Sequence, residues 1–164
     1  MRKLGLLSDT HGFLDKDILA FLSICDEILH AGDIGSMEVI DSLQSVKPLR
    51  AVYGNIDSQE IRLVFPKIQL FSIEEVKICM VHIGGYPGNY ERNIKALLRD
   101  SQPKVFIAGH SHILKVIADK ELDLIHLNPG AAGRSGIHQL QTAMRFEIAG
   151  AEIRNLEIYE KPRH

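Results

Sequence analysis

Hydrophobic and polar positions follow two rhythms along this chain, and the rhythm switches repeatedly. Leu4–Leu7 is a short apolar run closed by Ser8 and Asp9, which predicts a buried strand. Leu14, Ile18, Phe21, Leu22 and Cys25 then recur at the spacing of one helical face. "EILHAGD" reads as the next strand. Ser36 is placed to cap a helix that buries Ile40 and Leu43 and stops before Pro48. "LRAVYGN" is a third strand. Strands alternating with helices predict parallel βαβ units with right-handed crossovers.

Beyond Asp57 the pattern changes. "IQLFSI" and "VKICMVH" are separated by only a few residues and predict a hairpin. A helix is expected around Glu91–Arg99, with Ile94, Leu97 and Leu98 inward, and "KVFIAGH" follows as a strand. From Leu114 onward "LKVIAD", "LDLIHL", "TAMRFEI" and "EIRNLEIY" all read as strands. They are expected to form a second, largely antiparallel sheet packed on the first. The fold class is therefore α/β: two sheets face to face with helices outside.

Composition narrows the picture little. The 164 residues suit a single domain spanning 1–164, and the net charge of −2 gives no reason to expect a long nucleic acid as partner. Cys25 and Cys79 both lie in apolar surroundings and read as buried free thiols, which fits a reducing cytoplasm. The N-terminal apolar run is too short for a signal peptide, and no stretch approaches a membrane span, so a cytoplasmic protein without membrane contact is expected.

The chemistry lies at the strand ends, where ligands bind in open α/β sheets. Asp9 and His11 follow the first strand, Asp33 the second, and Asn55 and Asp57 the third. His82 ends "VKICMVH", and His110 and His112 follow "KVFIAG". Glycines before Asp33, Asn55 and His110 allow sharp turns and close backbone approach. Asp9, His11, Asp33, Asn55, His82, His110 and His112 make seven ligands, more than one ion needs, and suit two divalent metal ions sharing one carboxylate. Nitrogen and oxygen donors without thiolate favour manganese, iron, nickel, zinc or cobalt over magnesium or calcium, and manganese is the metal expected first. A barrel amidohydrolase is excluded because the histidine pair comes late in a chain too short for the barrel. A metallo-β-lactamase-like site lacks its further Asp-His after the pair.

This ordered set of motifs, "SDTHG", "HAGDI", "YGNID", "VHIGG", "IAGHSH" and "LNPGAAG", resembles the calcineurin-like metallophosphoesterase superfamily, specifically its small YfcE-type phosphodiesterase branch. The resemblance covers nearly the whole chain and implies a four-layer αββα sandwich of two mixed β-sheets flanked by helices. It also implies that Asp9, His11, Asp33 and His112 hold one metal, with Asp33 bridging to a second held by Asn55, His82 and His110. The activity implied is hydrolysis of a small phosphodiester by a hydroxide shared between the ions. Ile56 stands where many members carry a histidine that protonates the leaving group, which points to substrates with good leaving groups.

Around that set, His30 and Asp57 are candidate catalytic or supporting groups beside Asn55. Arg134, Tyr86 and Asn55 are candidate substrate contacts, Tyr90 a rim residue, and His126, His138 and His164 background. Two alternatives stand: a non-catalytic interaction scaffold like the retromer subunit Vps29, which shares this fold, and a phosphomonoesterase or small-nucleotide hydrolase on the same site. A homo-oligomer is compatible with all three.

Overall fold

The computed structural model describes residues 1–163, so His164 lies outside the described residues. β1 (Arg2–Leu7), β2 (Glu27–His30) and β3 (Leu49–Ala51) run parallel, joined by α1 (Lys16–Leu22) and α2 (Met37–Gln44). Ser36 caps α2 as expected, its side chain accepting from the Val39 N–H, and Asp15 caps α1 through the Asp17 N–H. α1 ends at Leu22, a turn short of Cys25, which is nevertheless buried. A six-residue helix, α3 (Gln59–Val64), was not expected. Ile61 is its only buried residue, so it has no apolar period to read.

β4 (Ile68–Ile73) and β5 (Val76–Val81) form the predicted antiparallel hairpin. A two-rung ribbon, β6 (Gly85–Tyr86) with β7 (Asn89–Tyr90), leads into α4 (Arg92–Ser101). β8 (Val105–Ile107) then runs parallel to β5.

The four tail strands do not make a sheet of their own. β9 (Leu114–Asp119) and β10 (Leu124–Pro129) complete the sheet β4-β5-β8-β10-β9, whereas β11 (Leu140–Ala149) and β12 (Glu152–Pro162) extend the other as β12-β11-β1-β2-β3. The reason is visible in burial. β10 and β11 each carry an unbroken run of four buried residues, so both faces of each strand must be covered, and each takes a position with a strand on either side. Strand periodicity tells which residues are buried but not which sheet receives them. Both sheets are mixed, as the αββα expectation requires.

Leu4, Leu6, Ile78, Met80, Ile107 and Phe146 fill the layer between the sheets. On the outer face of the first sheet, Ile18, Leu22, Ile40 and Leu43 pack against Leu7 and Ile28. Ile94 and Leu98 of α4 cover Cys79, Val81 and Phe106 on the second. Each such fully buried side chain contributes about 1.5–3 kcal/mol relative to exposure. Cys25 and Cys79 are free and buried, and burial pushes their thiols up to about 11 and about 12. No helix among the described residues is long and apolar enough to cross a membrane.

Candidate metal centre

The parallel strands of both sheets release their chains toward a common edge, and the loops there are laced by backbone hydrogen bonds. Asp9 N–H donates to the Gly32 carbonyl at 2.9 Å, His11 N–H to that of Asp33 at 3.0 Å, and Gly109 N–H to that of His82 at 2.9 Å. Gly109 and Gly54 allow these approaches: a Cβ on Gly109 would overlap Ser8 Oγ, and one on Gly54 would overlap Asp33 Oδ1. The lacing holds strained backbone. Asp9, His11, Asp33, His110 and His112 have φ of 54°, 47°, 55°, 72° and 61°. They are five of the nine described non-glycine residues with positive φ, so left-handed strain concentrates at the site the sequence singled out.

The side chains converge as two triads, Asp9 with His11 and His112, and Asp33 with His82 and His110. Within each triad the ligand atoms lie within 4.8 Å of one another. His112 Nε2 is 3.2 Å and His11 Nε2 3.6 Å from Asp9 Oδ1. Asp33 Oδ2 lies 3.1 Å from His82 Nε2 and 3.4 Å from His11 Nε2, and so faces both groups. Asn55 Oδ1 comes within 3.1 Å of His110 Nδ1. All seven candidate ligands thus meet at one place.

Hydrogen bonds aim the donor atoms inward. Asp9 Oδ2 accepts from the Ser8 hydroxyl at 2.6 Å and the His110 N–H at 3.0 Å, leaving Oδ1 for the site. Asp33 Oδ1 accepts from the Ile56 N–H at 3.0 Å, leaving Oδ2. His82 donates Nδ1–H to the Ala31 carbonyl at 2.8 Å, which turns the lone pair of Nε2 inward. Asp9 Oδ1, His11 Nε2 and His82 Nε2 are then buried with no hydrogen-bond partner. Three orphaned donor atoms facing one another are costly without a cation between them. The residues therefore fit a divalent ion, and the nitrogen and oxygen set suits the borderline metals.

Electrostatics agrees. Burial works against charge on Asp9, yet the neighbouring His11 and His112 imidazoles hold its carboxyl well below the usual carboxylate range. Burial likewise opposes charge on Asp33, and His82 and the Ile56 N–H pull it down. Asp9 holds His11 above its ordinary value. His82 is raised by Asp33 and Asp9 despite the opposing effect of burial. A field that draws protons onto imidazole draws a cation for the same reason.

The supporting residues take several different places around the centre. Asp57 accepts from the Gly35 N–H and the Gly54 N–H, both at 2.8 Å, one on each oxygen. It staples the loops after β2 and β3. His30 is fully buried, takes the Gly32 N–H on Nδ1 at 3.1 Å and meets Thr10 Oγ1 at 3.0 Å. Burial pushes it down to about 3, so it stays neutral and positions the ligand loops. Arg134 is exposed and stacks 3.6 Å over the Phe13 ring. Tyr86 is exposed, with Lys115 Nζ 3.4 Å over its ring. Tyr90 turns inward to donate to Asp119 at 2.6 Å and is not a rim residue.

Three shaping residues were not anticipated. Arg62 donates to the Asp57 and Asn55 carbonyls at 2.9 and 3.2 Å and holds the Asn55 turn. Ser8 orients Asp9. His138, read as background, packs edge-on to His112 with ring centres 5.2 Å apart. Ser8 was open to detection as the residue beside Asp9; Arg62 and His138 carry no pattern. Two cavities flank the His82–Ile83 turn. One of about 420 Å³ is lined by Tyr53, Asn55, Arg62, His82 and Ile94; one of about 210 Å³ by Tyr86, His110, Lys115, His126 and Asn128. Ile83 and Glu91 border both.

A two-sheet sandwich carrying such a cluster across its strand ends defines a metal-dependent phosphoesterase class, and comparison with known proteins makes the assignment. The calcineurin-like phosphoesterase superfamily domain matches residues 2–151, and the chain belongs to that family. A probable metallophosphoesterase of Methanocaldococcus jannaschii is 31% identical over 134 residues, covering 78% of this chain and 67% of that protein. One of Methanothermobacter thermautotrophicus is 29% identical over 133 residues, covering 78% and 76%. Among solved structures, wild-type Entamoeba histolytica Vps29 complexed with zinc superposes with a TM-score of 0.77 at 18% identity, covering 99% of both chains. At that identity the likeness concerns the fold.

Proposed function

We propose that the chain, acting as one domain over 1–164, is a phosphodiesterase of the YfcE-type branch, hydrolysing a small phosphodiester at a dinuclear centre. The observation that carries this reading is that Asp33 Oδ2 lies within 3.1 and 3.4 Å of histidine nitrogens from two different triads, where a carboxylate shared by two ions would stand. Asp9, His11 and His112 would hold one ion and Asn55, His82 and His110 the other, with manganese the first candidate. The chemistry supplied on binding is Lewis acidity toward phosphoryl oxygens and a water acidified toward neutrality. Asn55 offers its amide oxygen on the side of His110 and keeps its NH₂ for a phosphate oxygen. Two cavities diverging from one turn suit an ester with two arms, which favours a diester over a monoester. Ile56 is exposed beside Asn55 and offers no proton, so leaving groups of low pKa are preferred. Buried free thiols fit a reducing cytoplasm.

The test is metal analysis of the purified protein, followed by turnover of bis-(p-nitrophenyl) phosphate and p-nitrophenyl phosphate with manganese, zinc, nickel, cobalt or magnesium added. About two ions per chain and a higher kcat/KM on the diester are expected. Preference for the monoester would move the activity to a phosphomonoesterase. Neither substrate turning over with any ion would favour the scaffold reading that the Vps29 fold likeness suggests.

A further inference from the structure

The smaller cavity contains an unpaired group that the proposed chemistry does not use. His126 stands on β10, stacked on Phe106 with ring centres 5.2 Å apart, and is fully buried. Its Nδ1 lies 3.1 Å from the Phe106 carbonyl, and a carbonyl can only accept, so Nδ1 carries the hydrogen and Nε2 is an acceptor. That Nε2 is buried without a partner while the ring lines the cavity. Burial also pushes the ring down to about 4, so it stays a neutral acceptor at physiological pH.

The other walls offer complementary groups. Ser111 Oγ accepts from the Asn128 amide at 3.1 Å and the Ile113 N–H at 3.2 Å, which leaves its own O–H to donate. Lys115 brings three ammonium hydrogens to the mouth over Tyr86. His110, a candidate metal ligand, borders the same space. A buried, unpaired acceptor with hydroxyl and ammonium donors around the same cavity matches a group that both donates and accepts at neighbouring atoms, as a polyol does. An apolar arm would leave His126 Nε2 unsatisfied.

We infer that the cavity of about 210 Å³ is a subsite for a hydroxylated ester arm, a small glycerol- or pentose-like polyol whose hydroxyl donates to His126 Nε2. This rests on the phosphodiesterase reading and specifies its substrate class. The experiment compares glyceryl p-nitrophenyl phosphate with propyl p-nitrophenyl phosphate, which share a leaving group and differ only in the hydroxyls of the other arm. The manganese-loaded wild type should favour the glyceryl ester by about tenfold or more in kcat/KM. His126→Leu and Lys115→Met should each shrink that preference by lowering glyceryl ester turnover, with no loss of propyl ester turnover. Lys115 is partly exposed and its variant keeps the core intact, so misfolding at position 126 does not decide the outcome. Equal turnover of the two esters by the wild type, or equal loss of both in variants with unchanged melting, overturns the subsite. If neither ester is hydrolysed with any ion, the phosphodiesterase reading falls instead. Saturation-transfer NMR of glycerol phosphate against propyl phosphate then decides the cavity: glyceryl-selective binding lost in His126→Leu supports it, and equal binding rejects it.

Discussion

Each carboxylate at the centre divides its oxygens between two tasks, one fastened by a hydroxyl or a backbone N–H and one free to bind. This fixes the direction of the free oxygen without lowering its charge, while the histidines that face Asp9 and Asp33 do most to hold both in their ionised form against the cost of burial. Histidines without such a second partner depend on packing alone, and His112 is one, with His11 and His138 edge-on to it. His112→Ala should remove a ligand from the Asp9 triad and lower kcat by about 10²-fold, with a matching loss of bound metal and a far-UV spectrum that stays native. Near-normal turnover with full metal content would exclude the ligand role. His126 makes a stability prediction at the same scale. Its folded pKa is depressed to about 4 from 6.5, so the unfolded chain binds a proton first as pH falls. The stabilising effect of the neutral ring is complete above about pH 6.5 and is lost progressively down to about pH 4. Urea midpoints should therefore fall faster for the wild type than for His126→Leu across that window; parallel curves would show that the ring is not buried neutral.

Elements matter here through where they end. β1, β2 and β3 deliver Asp9, His11, Asp33 and Asn55 from one sheet, while β5 and β8 deliver His82, His110 and His112 from the other. Gly109 lets the β8 loop close on the β1 loop, because any side chain there meets Ser8 Oγ and Asp9 Oδ2. Gly109→Ala should push these two loops apart, weakening manganese affinity by more than about tenfold in calorimetric titration, with a melting temperature lowered by only a few degrees. Unchanged affinity would mean that the loops accommodate the methyl group and the close approach is incidental.

At the scale of the whole molecule, the centre ties together two sheets whose facing surfaces pack through apolar side chains. Metal binding should therefore stabilise the native state as a unit. At a hundredfold excess over Kd the gain is about 2.7 kcal/mol, or about 5–10 °C in Tm for a chain of this size. Differential scanning calorimetry with and without chelator measures it. The gain should shrink as pH falls below neutrality, because His11 and His82 are raised above their ordinary values and protons compete with the ion for their nitrogens. A Tm indifferent to manganese at pH 7.5 would count against a centre that joins the sheets.

Much of this was legible in the chain. Short apolar runs closed by Asp, Asn or His mark parallel strands that end in ligands, since a buried strand accommodates polar side chains most readily where it leaves the core. The strand–helix alternation through β3, the Ser36 cap, the β4–β5 hairpin and all seven converging side chains follow from that local logic. Partition of the tail strands, the short α3, the loop-fastening roles of Asp57 and Arg62, and the packing of His138 beside His112 were decided only in three dimensions. Burial patterns record how much of a residue is covered but not by what, and hydrogen bonds between loops far apart in sequence leave no periodic trace. Local sequence therefore determined which atoms arrive at the edge of the sheets, and tertiary structure decided which oxygen or nitrogen of each one faces inward.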